Sequence, residues 1–204
     1  MGLSAIPKAT RDRYHIEERR HASAILASDF PDELQDIVGC LDQFHLVRSE
    51  IEVGGRKSKI ANRFDGFLEE RGWVEKSVKV SRTVGDKTTD SETHKVDFCK
   101  GRVAVEVEWN NKDPFFSRDL NAFRLLHEVG VVSVCVLITR MDELQKIFDS
   151  PGRGIGRKYG ASTTHWSKLM PRVEAGGAGA CPLLLIGITA NCYIDDRSGS
   201  DHPL

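Results

Sequence analysis

The sequence predicts an α/β fold in which a central mixed β-sheet is flanked by helices and preceded by an N-terminal helical segment. Three observations carry this. Val131 to Thr139 and Pro182 to Thr189 are nearly continuous apolar runs, as expected of strands buried on both faces, and helical patterns join them. Val103 to Trp109 alternates apolar and polar residues, the pattern of a strand with one buried side. Residues 1–72 carry apolar positions at helical spacing.

Taken in order, Tyr14 to Ala27 reads as an amphipathic helix. Asp29 stands as an N-cap before Pro31, and Leu34, Ile37, Val38 and Leu41 follow at helical intervals. Ser58 can cap a third helix with Ile60, Phe64, Phe67 and Leu68 on one stripe; Gly72 stops it and Trp73 packs back. Val74 to Val84 is read as a strand with Val74, Val78, Val80 and Val84 on one parity, followed by a polar loop from Gly85 to Lys95. Helices are expected over Asp119 to Glu128 (Leu120, Phe123, Leu126, His127) and over Met141 to Phe148. A Gly-rich basic loop comes next, then a short helix around Thr164 to Leu169. The strand at Val103, its following helix and the Val131 run form a β-α-β unit.

The 204 residues suit a single domain: a mostly helical part over 1–72, a sheet-containing core over 73–190 and a loose tail over 191–204. No apolar run approaches a membrane span and the N-terminus lacks a signal-peptide core, so a cytoplasmic protein with no membrane partner is expected. The five cysteines are odd in number and include no C-x-x-C pair, which fits buried reduced thiols better than disulfides or zinc. Net charge is only −1, yet between Ser150 and Arg172 the chain carries Arg153, Arg157, Lys158, Lys168 and Arg172 with no acid. Such a span favours an anionic partner. Arg56, Lys57 and Lys59 form a second basic knot.

The stretch from Val96 to Trp109 carries the chemistry. It reads as a β-hairpin turning at Lys100-Gly101, so that Cys99 faces Arg102 and Asp97 faces Ala104. Directly opposed residues share a face, which puts Asp97 with Glu106 and Glu108, Glu106 being its diagonal neighbour. Three such carboxylates repel one another unless a cation lies between them. Mg²⁺, a hard oxygen-seeking ion, would resolve that conflict, with Asp97 and Glu106 as ligands and the Val107 carbonyl as a third. Glu108 would orient or deprotonate a water. The bland alternative is an amphipathic strand whose Glu106 and Glu108 face solvent. Glutamate is disfavoured in strands, and the amide- and aromatic-rich segment Trp109 to Phe116 is unlike an idle loop.

An Asp, a short hairpin and Glu-x-Glu on a strand resemble the PD-(D/E)XK nuclease signature, with Glu108 where lysine is common. A longer set is more specific: Val96-Asp97-Phe98, Arg102 to Trp109, the loop after it, Leu68-Glu69-Glu70-Arg71-Gly72-Trp73, and Pro182 to Ile188. Together these resemble the type II restriction endonucleases typified by BglII and BstYI, from about Ser58 to Ile188. The resemblance implies a PD-(D/E)XK core and a homodimer around double-stranded DNA at a short palindrome, one containing GATC being favoured. It also implies Mg²⁺-dependent cutting and a cognate DNA methyltransferase. The catalytic positions map onto Asp97, Glu106 and Glu108, the last being glutamine in those relatives. DNA contacts are expected from Asn110, Asn111 and Lys112, then from Arg153, Arg157, Lys158, Ser162, Thr163, Thr164, His165 and Lys168, whose groups suit base edges and phosphates. The alternatives are a structure-specific or repair nuclease on the same fold, or a non-catalytic DNA-binding domain.

Overall fold

The structure is a computed structural model and describes residues 3–53, 59–92, 95–112, 114–160 and 162–197. In chain order the elements begin with α1 (Lys8–Arg13), β1 (Tyr14–Arg19), α2 (Ala22–Asp29) and α3 (Pro31–Gln43). Next come β2 (Leu46–Val47), α4 (Arg48–Val53), α5 (Lys59–Glu69) and β3 (Val74–Lys76). The ribbon strands β4 (Lys79–Val84) and β5 (Lys87–Glu92) precede β6 (Val96–Lys100), β7 (Val103–Glu108) and α6 (Phe115–Glu128). The chain continues with β8 (Val134–Arg140), α7 (Leu144–Asp149), α8 (Arg153–Gly156), α9 (Trp166–Glu174), β9 (Leu183–Ile188) and β10 (Tyr193–Ile194).

Six strands form one sheet in the order β1-β9-β8-β7-β6-β3. The pairs β7–β8 and β8–β9 are parallel, whereas β1, β6 and β3 join antiparallel to their neighbours. The predicted mixed sheet is therefore present, with the two apolar runs side by side at its centre. One face (Phe98, Val103, Val105, Val107, Val134, Val136, Leu184, Ile186) packs under α2 to α5 and α7. The other (Cys99, Ala104, Cys135, Leu137, Leu183, Leu185) packs under α6 and α9 through Phe116, Leu120, Phe123, Trp166 and Leu169. All five cysteines are buried and free, as the sequence suggests.

Several expectations need correction. Tyr14 to Ala27 is not one helix: Tyr14–Arg19 is an edge strand on β9, with Tyr14 opposite Ile188, and α2 begins only after Arg20 and His21 take φ +58. The strand wins because it pairs the otherwise open edge of a fully buried β9. Asp29 belongs to the end of α2, and the cap before Pro31 is Phe30, with no side-chain cap bond. The Val74–Val84 run is split. Val74 and Val84 are exposed, and β4 pairs with β5 in a separate two-stranded ribbon that takes up most of the expected polar loop. The tail is tied down as far as the description reaches: Tyr193 pairs with Leu46, Asp195 bonds Arg48 at 2.9 Å and Arg197 bonds Glu52. Ser58, Arg56 and Lys57 lie outside the described residues.

The third-helix expectation holds. Ile60, Phe64 and Leu68 are buried, Gly72 takes φ +81, and the Trp73 backbone N–H closes on the Leu68 carbonyl at 3.1 Å. Trp73 is buried, and its indole N–H donates to Asp36 at 3.0 Å, as does Lys100 at 2.7 Å. Replacing Asp36 with alanine leaves that buried N–H without an acceptor. Urea denaturation should show a loss of about 1–3 kcal/mol, with Asp36→Asn recovering part of it. Equal stability of all three proteins would refute this.

Candidate active site

The β6–β7 hairpin pairs Lys100 with Val103, Cys99 with Ala104 and Phe98 with Val105. The turn is thus Gly101-Arg102, one residue later than expected, with Gly101 at φ +54, a conformation glycine adopts without strain. Turn length is unchanged, so faces are unchanged. The shift moves the register by two, and continued one residue further it sets Asp97 opposite Glu106 instead of on its diagonal. An Asp97 oxygen accepts the Val107 N–H at 3.5 Å.

The carboxylate face of β7 does not look into water. Glu106 and Glu108 are each 1 % exposed, because α6 lies over them. That helix brings an acid the sequence reading overlooked: Asp119 is fully buried, and Glu106, Glu108 and Asp119 each present an oxygen within 4.8 Å of the other two. Asp97 is exposed and lies outside that group of three, though its carboxylate acts on Glu106. Arg118, beside Asp119 in sequence, sits 2.9 Å from Asp119 Oδ1 and 3.5 Å from Glu108 Oε1, stacked over the Phe115 ring. A signal for Asp119 exists, since it lies three residues after Phe116 and four before Phe123, on the apolar face of α6.

Electrostatically the cluster is strained without a cation. Burial, then the Asp97, Asp119 and Glu108 carboxylates, raise Glu106 well above the usual carboxyl range. Burial and Asp119 push Glu108 up to about 9, against the opposing pull of Asn111 and Arg118. Burial also raises Asp119. Among the described residues, no donor reaches Glu106 Oε1 or Asp119 Oδ2. Buried oxygens without donors, in an all-carboxylate set, fit a hard divalent cation.

The two segments expected to touch DNA meet beside this cluster. The Asn111 amide donates to Glu108 Oε2 at 2.9 Å. Asn111 and Thr164 exchange bonds (Thr164 N to Asn111 O, 2.8 Å; Asn111 N to Thr164 Oγ1, 3.1 Å), and Lys112 bridges Thr163. The Glu108 carbonyl accepts from Thr139 at 2.9 Å and from Thr164 at 3.4 Å. Buried Arg140 holds the second segment from below, donating to the Tyr159 carbonyl at 2.6 Å and to Thr163 at 3.1 Å. Thr164 is fully buried, so its hydroxyl binds the two segments together instead of facing outward. Asn110 takes φ +60 at the bend. Lys112, Arg157, Lys158 and Ser162 are exposed; Asn111, Thr163, His165 and Lys168 are half-buried. The Arg153 side chain is not among those described. The helix expected around Thr164 begins at Trp166, His165 precedes it, and the His165 Nδ1 lies 2.7 Å from Asp142.

A mixed sheet with carboxylates on a central strand, covered by the helix that follows it, defines a restriction-endonuclease-like α/β protein. The chain belongs to the restriction endonuclease BglII/BglIII family, whose model matches residues 14–188. The match reaches the edge strand β1, well upstream of the Ser58 at which the resemblance seen in the sequence begins. Membership makes the protein a nuclease at the level of its family and implies DNA as its partner. No curated protein is matched by the chain. Among the described residues no helix is long and apolar enough to cross a membrane.

Proposed function

We propose that the protein is a type II restriction endonuclease that hydrolyses phosphodiester bonds of double-stranded DNA at a short palindromic site, with Mg²⁺ as cofactor. It acts as a homodimer in the cytoplasm, beside a methyltransferase that protects the same site, and a GATC-containing palindrome is the favoured target. The observation that carries this reading is the buried Glu106–Glu108–Asp119 cluster with donorless oxygens, set against the two polar segments.

Asp97 and Glu106, opposite each other on the hairpin, would hold the cation, with the Val107 carbonyl as a third ligand. When bound, the cation supplies Lewis-acid polarisation of the scissile phosphate and neutralises developing charge. Glu108, steered by Asn111, orients or deprotonates the attacking water. Asn110, Asn111 and Lys112 read bases from one segment, and Arg157, Lys158, Ser162, Thr163 and His165 from the other. Arg153 and Lys168 add phosphate contacts, and Thr164 holds the segments in register.

Plasmid DNA incubated with the protein and Mg²⁺ should give discrete, reproducible fragments. Smeared or branch-dependent cutting would point to a structure-specific nuclease, and binding without cutting to a DNA-binding domain. Glu108→Gln should lower the cleavage rate less than Glu106→Ala does, because an amide can still orient water where no ligand is lost. Complete inactivity of Glu108→Gln in a single-turnover assay would instead make Glu108 an obligatory base.

A further inference from the structure

The four carboxylates of the site are not equally supplied with positive charge. Among the described residues, Arg118 alone makes ion pairs with them, and only with Glu108 and Asp119. Its guanidinium therefore lies on the Glu108–Asp119 side of the cluster and makes no ion pair with Glu106, whose Oε1 stays without a donor among the described residues. A divalent ion between Glu108 and Asp119 would lie against a like charge, whereas among the described residues no cationic side chain is ion-paired with Asp97 or Glu106. Arg118 is also held for more than neutralisation. Phe115 fixes its plane at 3.9 Å, Nε and Nη2 are engaged with Asp119 and Glu108, and Nη1 bonds no described residue. About a third of the side chain, 31 %, remains exposed.

We propose that Arg118 is a catalytic residue that stands in place of a second divalent cation, donating from Nη1 to a non-bridging oxygen of the scissile phosphate. The site then holds one cation per chain, at Asp97 and Glu106, with the guanidinium across from it. A fixed planar donor fork is suited to phosphate oxygens, and Asp119 is its positioning residue. This rests on the nuclease reading above.

The test combines Arg118→Ala and Arg118→Lys with calorimetric titration of Mn²⁺, duplex binding in Ca²⁺ and single-turnover cleavage in Mg²⁺. Wild type should bind one Mn²⁺ per chain. Arg118→Ala should bind Mn²⁺ at least as tightly, since a neighbouring positive charge is gone, yet cut on the order of a hundredfold more slowly. Arg118→Lys should recover part of that rate. In Ca²⁺, a neutral methylphosphonate at the scissile position should weaken binding by wild type more than by Arg118→Ala, a coupling that a merely structural arginine would not show. Two Mn²⁺ per wild-type chain, a rate loss under tenfold, or Mn²⁺ affinity lost together with rate would each overturn the proposal. Wild-type protein that cuts no DNA would overturn the nuclease reading as well, whereas normal wild-type cutting with an unaffected Arg118→Ala would overturn this inference alone.

Discussion

Replacing Glu106 with alanine is expected to abolish cleavage while leaving duplex binding largely intact. Glu106 is central in three senses: it shares the hairpin face of Asp97, belongs to the buried cluster with Glu108 and Asp119, and has an oxygen without a donor. No DNA contact is assigned to it, because it lies beneath α6 at 1 % exposure. Losing a ligand of the cation removes transition-state stabilisation worth several kcal/mol, and each 1.4 kcal/mol is about tenfold in rate, so a fall of about a thousandfold or more is expected. Folding should not suffer, since the change relieves repulsion among buried acids. Single-turnover cleavage in Mg²⁺ beside gel-shift binding in Ca²⁺ separates the two effects. Near wild-type cutting by this variant would sink the metal-site assignment.

Stability of the metal-free protein should fall as pH rises from about 4.5 to about 9, and Mg²⁺ should flatten that fall. In the unfolded chain Glu108 ionises near the ordinary 4.5, whereas burial beside Asp119 raises it to about 9 in the folded state. Below both values the group is protonated in both states and favours neither. Between them the unfolded chain can release a proton that the folded one must keep, so the balance tilts progressively toward unfolding. Glu106 and Asp119 are shifted in the same direction and add to it. A bound cation compensates the ionised forms and also stabilises the fold by binding it selectively. Melting temperatures across this range should drop by several degrees in EDTA and by much less in Mg²⁺. A melting temperature in EDTA that does not change with pH would contradict the buried cluster.

Much of the core was legible because its signals are local and redundant. The runs that became β8 and β9 are apolar at nearly every position, and a doubly covered strand accommodates that. The face shared by Asp97, Glu106 and Glu108 followed from strand parity, which survived an error of one residue in placing the turn. What was not legible depended on partners far away in the chain. Tyr14 to Arg19 has no strand signature strong enough to outweigh its helical spacing; its structure is decided by an open edge of β9, about 170 residues later. Val74 and Val84 looked like one buried parity, but the chain leaves the sheet after Lys76 and the ribbon it enters is solvated. Asp119 was missed because a helix thought to begin there makes an acid look like an ordinary first-turn residue. With the helix starting at Phe115, the same aspartate falls on the buried face and becomes an anomaly that calls for a partner.

Surface turns are ordinarily where proteins tolerate insertions and deletions most freely. The Gly101-Arg102 turn, which contains no candidate site residue and lies on the surface, is an exception. One residue added there and passed into β6, with the turn kept at two residues, would turn Asp97 through the pleat and bury it among the valines under the N-terminal helices, while Glu106 stayed in place. Two residues added would leave the faces as they are. Slippage of this hairpin is therefore tolerated only in steps of two, and its register is constrained by chemistry in which the turn's own side chains take no part.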